Sequence, residues 1–326
     1  MLIIRSLNKT FSNQNVINQL NLKVQSGEII SVVGSSGSGK TTLLRLVSGL
    51  EIPDSGQIIL NNQSVNGDKI YVPPEKRDCS LVFQDYALFP NMTMRQNIYF
   101  GKNSSKNKAR VEYLINITKL EKLIDKYPHE CSGGEQQRVA LVRSMAINPS
   151  LILMDEPLSN LDNNLKSKLG IIIRRFIKEF NTTAIIVTHD IFDAMKISDK
   201  MVVLEGGQIS QKGFPNEIYN NPNSKKVALL FGETNFIPLS MFPNQKNYFI
   251  DTVSNTPLIS IRPNQFSIFD PNTDLAGKVF SGEIRSLKNI GTNIRIELKC
   301  DDLSLNISLN NSEKFEIGQT IKVKCS

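Results

Sequence analysis

The chain is poor in the side chains that build metal centres and covalent staples. Its four cysteines, Cys79, Cys131, Cys300 and Cys325, form no C-x-x-C pair, so neither a zinc site nor a disulfide framework is indicated. Two histidines, His129 and His189, leave little room for a His-based metal cluster. No apolar run reaches the roughly 18 residues that a bilayer span requires. The first residues, MLIIRSLNKTFSN, lack a signal-length apolar core and a small-residue cleavage site, so the chain is expected to stay in the cytoplasm. There is no internal repeat, no low-complexity tract, no heptad run and no block of Lys and Arg.

What is present is an ordinary globular mix, with 40% hydrophobic and 21% charged residues in 326 positions. That length corresponds to about two domains and suffices for a full core. Lys and Arg (38) exceed Asp and Glu (31), for a net charge of +7. The cations are dispersed, so a solvated surface is the plainest reading. Nucleic acid and an anionic membrane surface are the alternatives.

The first two thirds alternate short apolar runs with helical patterns, as an α/β domain does. EIISVV (28–33), LILM (151–154) and AIIV (184–187) read as buried strands, and QIIL (57–60) as an antiparallel strand entering a turn. MVVL (201–204) runs into the tight turn EGGQ. A helix is predicted from about Asp162 to Phe180, with Leu165, Leu169, Ile172, Ile173, Phe176 and Phe180 at spacings of three and four. Residues 101–127 read as part of an inserted helical block. Beyond about 232 the pattern turns to period two: Ile294, Ile296 and Leu298, then Leu303, Leu305, Ile307 and Leu309, then Ile321 and Val323. That is a small all-β domain.

GSSGSGKT (34–41) fits G-x-x-x-x-G-K-[ST] and lies between a strand and the helix TTLLRLVSGL, the context that pattern demands. The backbone of Gly34, Ser35, Ser36, Gly37, Ser38 and Gly39 is expected to turn its N–H groups onto phosphate oxygens. The helix start, with Thr42 in its first turn, adds partial positive charge. Lys40 is assigned to the β- and γ-phosphates and the Thr41 hydroxyl to Mg²⁺. Asp155 ends the apolar run LILMD, where a carboxylate reaches the same ion. Glu156 follows as the candidate acceptor of a proton from the attacking water. An Asp-Glu pair by itself is commonly a solvated turn. Here it follows a buried strand in a chain that already has a phosphate loop.

CSGGEQQRVALVRS (131–144) resembles the signature motif of ABC-transporter ATPases, and with GSSGSGKT, LILMDEPLSNLD and VTHD it completes that family's set in order. The resemblance covers about residues 1–232. More diffusely, GETNFIP and IRPNQFSIF resemble the C-terminal OB-like domain of importer ATPases. It implies a P-loop NTPase core with an antiparallel β subdomain, a helical subdomain at about 87–150, and an OB-like β domain at 236–326.

Several roles are implied by the resemblance alone. Phe11, with Val16 beside it, stands where an aromatic stacks on adenine, although the family usually has Tyr. Gln84, in VFQDYALFP, matches the glutamine that contacts Mg²⁺ and the attacking water. Ser132, Gly133 and Gly134 match the residues that bind the γ-phosphate of ATP held by a second copy. Asp162 matches the loop that crosses the dimer interface. His189 matches the histidine that contacts the γ-phosphate and orients Glu156. His129 reads as structural. The implied cofactors are ATP and Mg²⁺. The implied partners are a second copy, two membrane-spanning permease subunits gripped near YALFP and, indirectly, a substrate-binding protein, with no nucleic acid. The implied location is the cytoplasmic face of the membrane. Cys131 and Glu135 depart from the usual Leu and Gln of the signature. FQDYALFP is closest in wording to ferric-ion importers, which makes ferric iron the expected cargo, with polyamine, sugar and sulfate as alternatives. A non-transport ABC ATPase is the rival class. A single cassette without a coiled-coil insertion speaks against it.

Overall fold

The structure, a computed structural model, describes residues 1–67, 69–101, 104–159, 161–271, 277–301, 303–310 and 314–325. It divides into two compact units, Met1–Pro215 and Asn216–Ser326. The first unit contains β1 (Leu2–Phe11), β2 (Gln14–Val24), β3 (Ile29–Val33), α1 (Lys40–Ser48), β4 (Ser55–Leu60), β5 (Gln63–Gly67), β6 (Ile70–Tyr71) and β7 (Cys79–Val82). It continues with α2 (Met94–Tyr99), α3 (Lys108–Ile117), α4 (Gly133–Ala146), β8 (Leu151–Asp155), α5 (Asn163–Glu179), β9 (Thr183–Val187), α6 (Ile191–Ile197), β10 (Lys200–Glu205) and β11 (Gln208–Gly213).

Two sheets organise this unit. The central one runs β11-β10-β3-β9-β8-β7. Its strands are parallel except for β11, which returns from β10 through the Gly206–Gly207 turn. The central strands β3, β8 and β9 show their two faces to two different cores, which is why these runs are mostly apolar and not alternating, with Ser31 and Thr183 as buried polar exceptions. Ile30, Val32, Leu151, Leu153, Ile185 and Val187 pack towards α1 and the second sheet. Ile29, Ile152, Met154, Ala184 and Ile186 pack against α4 and α5. The second sheet, β2-β1-β4-β5-β6, is antiparallel. Its β1–β2 and β4–β5 hairpins turn through Ser12–Asn13 and Asn61–Asn62, four residues at positive φ. Such paired left-handed residues match the twist of the flanking strands.

The predicted helix at 162–180 is α5, with Asp162 as its cap and Phe180 just past its end. Leu169, Ile173 and Phe176 are buried, while Leu165 in the first turn stays exposed. The helical block comprises α2, α3 and α4, whose buried residues join the α5 side of the sheet in one core.

The second unit begins with two short helices, α7 (Pro215–Asn220) at the boundary and α8 (Lys225–Leu230). Its strands are β12 (Asn235–Pro238), β13 (Phe249–Ile250), β14 (Pro257–Ile261), β15 (Phe266–Ile268), β16 (Lys278–Asn289), β17 (Asn293–Cys300), β18 (Leu303–Asn310) and β19 (Thr320–Cys325). They form the sheets β12-β14-β13 and β15-β19-β16-β17-β18, an all-β, OB-like arrangement. The period-two residues of β17, β18 and β19 all line one core. Sequence patterning starts this domain at 236, whereas the compact unit starts at Asn216. The reason is Arg262, whose buried guanidinium donates to the carbonyls of Tyr219, Ala228, Gly232 and Glu233. That fork ties both helices to the end of β14.

Candidate active site

Strand register brings the motifs to one level. Val32 of β3 pairs with Val187 of β9, which in turn pairs with Asp155 of β8. The phosphate loop after β3, the Asp155–Glu156 pair after β8 and Thr188–His189 after β9 therefore share the carboxyl edge of the sheet, where open α/β sheets bind ligands. Gln84 lies two residues beyond the Val82–Met154 pair of β7 and β8, exposed at that same edge.

The loop from Gly34 to Gly39 is shaped by close backbone approach. Gly34, Gly37 and Gly39 have positive φ. A Cβ at Gly39 would stand 2.6 Å from the Val16 carbonyl oxygen, and one at Gly34 would stand 2.2 Å from that of Leu204. Only glycine serves at both places. Gly39 caps α1 without any side-chain bond, so no side chain covers the N–H groups of its first turn. Lys40 is buried and its Nζ donates to the carbonyls of Gly34 and Ser35, both at 2.9 Å. Burial lowers its ammonium below the usual lysine range, against the pull of Glu156 and Asp155. Among the described residues the buried Ser38 hydroxyl has no hydrogen-bond partner. An uncapped helix start, a lysine resting on carbonyls and an orphaned hydroxyl all fit an anion with several oxygens.

Asp155 and Thr41 meet across the sheet edge, with Thr41 Oγ1 donating to Asp155 Oδ1 at 3.2 Å. Burial raises the Asp155 carboxyl, the Thr41 bond opposes that rise, and Glu156 adds to it. A hydroxyl and one carboxylate beside a phosphate cradle are the hard oxygen donors that suit Mg²⁺. Glu156 adopts φ 50°, a left-handed conformation that bulky residues avoid. Its N–H donates to the Val187 carbonyl at 2.9 Å. One carboxylate oxygen accepts from the His189 backbone N–H at 3.0 Å and faces His189 Nδ1 at 2.8 Å, and the other accepts from Thr188 Oγ1 at 3.3 Å. The side chain of His189 is 68% exposed and that of Glu156 only 13%. The pair is thus anchored at the carboxylate and open at the imidazole.

Phe11 sits exposed at the hairpin edge with Lys9 Nζ 4.8 Å from its ring centroid, while the neighbouring strand's Val16 backbone touches Gly39 and Gly207. Ser132 caps α4 and Asp162 caps α5, the latter accepting from the N–H groups of Asn164 and Leu165 at 3.0 Å each. Among the described residues the side-chain bonds of Ser132 go to Glu135, and none reaches its own chain's phosphate loop. Cys131 packs partly buried against the helical core in place of a larger Leu. His129 stacks on Tyr127 with ring centroids 5.7 Å apart and takes no part in the site.

Two contributors, Thr188 and Arg143, lie within the quoted strings VTHD and CSGGEQQRVALVRS without a role that the motifs give them. Thr188 supports Glu156, and its only sequence signal is adjacency to His189. Arg143 of α4 donates to the carbonyls of Tyr86 and Ala87, two consecutive positive-φ residues after Gln84. A cavity of about 580 Å³ opens between α5 and α6 and shares no residue with the phosphate loop. The site is located by its donors and not by cavity size.

A family model described as "ABC transporter" matches residues 17–159. The sulfate/thiosulfate import ATP-binding protein CysA of Synechocystis is 36% identical over 331 residues, covering 99% of this chain and 90% of that protein. The chain belongs to the ABC transporter family. It stands among import ATP-binding subunits and is an ATPase whose hydrolysis is coupled to transport. The Fe(3+) ions import ATP-binding protein FbpC 2 of Haemophilus influenzae is 32% identical, covering 99% of this chain and 94% of that protein. Among solved structures, a dimeric post-hydrolysis ATP-binding cassette bound to ADP and Pi matches with TM-score 0.58 and 26% identity, over 66% of this chain and 99% of that chain. Among the described residues no helix is long and apolar enough to cross a membrane.

Proposed function

We propose that two copies of this chain hold two ATP molecules between them, each bound by the phosphate loop of one copy and the Ser132–Gly134 turn of the other. The observation that carries this reading is the separation within one chain. Ser132 spends its side-chain bonds inside α4, while Lys40, Thr41, Asp155, Glu156 and His189 gather at the sheet edge without it. A dimeric cassette bound to ADP and Pi is similar in structure, which supports the arrangement. Phe11 and Val16 line the adenine end, Gly34–Thr42 the phosphates, and Asp162 the contact between copies.

In this reading Glu156 accepts the proton of the attacking water, held in place by Thr188 and His189. Lys40 releases the Gly34 and Ser35 carbonyls and turns to the β- and γ-phosphates. Thr41 and Asp155, with Gln84 approaching from β7, would hold Mg²⁺, which neutralises phosphate charge when bound. Closure follows the γ-phosphate contacts and opening follows their loss. The segment from about Gln84 to Phe100 of each copy takes a loop of one permease subunit, and that attachment makes the protein peripheral at the cytoplasmic face of the membrane. A substrate-binding protein delivers cargo to the permease. Domain limits at 1–232 and 236–326 describe the sequence modules, with the linker helices α7 and α8 travelling with the second.

We infer an inorganic ion as cargo, with sulfate or thiosulfate first, because the named import relatives at 36% identity carry that label. Ferric iron is the second reading, supported by FQDYALFP and the relatives at 32%. Deletion of the gene, followed by uptake of labelled sulfate and of labelled ferric iron, tests both. The parent chain should restore uptake and Lys40→Ala should not. Restoration of iron alone would reverse the order, and restoration of neither would remove inorganic-ion import.

A further inference from the structure

The start of α4 carries a bond whose consequence for Ser132 the shared-site reading leaves open. Ser132 and Glu135 form a reciprocal cap in which one carboxylate oxygen takes two hydrogens. Glu135 Oε2 accepts the Ser132 backbone N–H at 2.8 Å and the Ser132 hydroxyl at 2.8 Å. The return bond, from the Glu135 N–H to Ser132 Oγ, is longer, at 3.4 Å. The hydroxyl proton that a phosphate oxygen would receive is therefore already given to a carboxylate.

We propose that Glu135 is a positioning residue that holds Ser132 in reserve and raises the ATP concentration needed to close two copies of this chain. The proposal rests on the shared-site reading above. To donate to a γ-phosphate, the Ser132 hydroxyl must leave Glu135. The carboxylate then loses one of its two donors and faces an incoming polyanion. Its charge persists at neutral pH, because the Ser132 bonds hold the carboxyl below the usual glutamate range. Arg138 and Lys126 help to keep the carboxyl ionised, and the Arg138 guanidinium is held on the Thr118 carbonyl at 3.0 Å. A glutamine in the same place keeps the cap through its amide oxygen and turns N–H donors, not charge, towards the phosphate. The consequence is a cassette biased towards the open state, with low hydrolysis until a bound partner favours closure.

The test uses the full chain carrying Glu156→Gln, which slows hydrolysis, and follows mass by light scattering as ATP and Mg²⁺ are added. Adding Glu135→Gln should lower the ATP midpoint for dimer formation about tenfold, a shift equivalent to ~1.4 kcal/mol. Glu135→Ala should shift it in the same direction, which keeps the test valid if one variant folds poorly. In the Glu156 parent, Glu135→Gln should lower KM for ATP more than it changes kcat. A residue that merely caps a helix would do the opposite, because losing it weakens the turn. An unchanged or raised midpoint in both variants overturns the proposal and leaves the shared site standing. If Glu156→Gln alone never dimerises with ATP, the shared-site reading falls and this inference falls with it.

Discussion

At the scale of single residues, the site is a set of groups each held by something less conspicuous. Glu156, whose backbone is left-handed, is fixed through its own N–H, through His189 and through Thr188. Thr188→Val keeps the shape of the side chain and removes one hydrogen bond of about 1 kcal/mol. Steady-state kinetics should show kcat lowered roughly fivefold with KM for ATP little changed. A proportional rise in KM instead would place Thr188 in nucleotide binding. Residue type and spacing singled out Lys40, Thr41, Asp155 and Glu156 in the sequence, and the structure gathers them at one sheet edge. They did not single out Thr188, because a threonine becomes a positioning group only when β8 and β9 align in register. Glu135 was visible as a departure, but its effect on Ser132 is a matter of which oxygen takes which hydrogen.

At the scale of elements, apolar content identified β3, β8 and β9, since both faces of each are buried and most positions on either face are apolar. The long α5 was legible from its spacing. Asp162 marks its start, and only its exposed first turn departs from the apolar stripe. The short α2 and α3 were legible only as a helical block, because much of each helix faces solvent and their buried positions are few. The bend after Gln84 had no sequence signal, because Tyr86 and Ala87 are not residues that favour positive φ. Arg143 supplies what they lack. Arg143→Met should leave two carbonyls without their donor and cost about 1–3 kcal/mol. Amide hydrogen exchange at 83–89 should rise while that of α5 stays as in the parent. Unchanged protection at 83–89 would mean the bend is held by other contacts.

At the scale of the whole molecule, the two-domain reading and the all-β character of the C-terminal part were legible from the change to period-two patterning. The membership of α7 and α8 was not, because it depends on where one buried arginine sends its five donors. Arg262→Met should destabilise the second unit by about 3 kcal/mol or more, since several buried carbonyls lose their partner at once. A fluorescent ATP analogue should still bind the variant with affinity within about twofold of the parent, because the nucleotide groups lie in the other unit. Loss of nucleotide binding together with the second unit would show that the two fold as one.

The central claim is that the catalytic groups of one copy are completed by Ser132 of another. The most direct measurement is the solution mass of the Glu156→Gln chain with ATP and Mg²⁺, compared with the same chain also carrying Ser132→Arg. The account predicts that ATP doubles the mass of the first and leaves the second monomeric, although both still bind nucleotide through Lys40. Equal dimer formation by the two variants would contradict it.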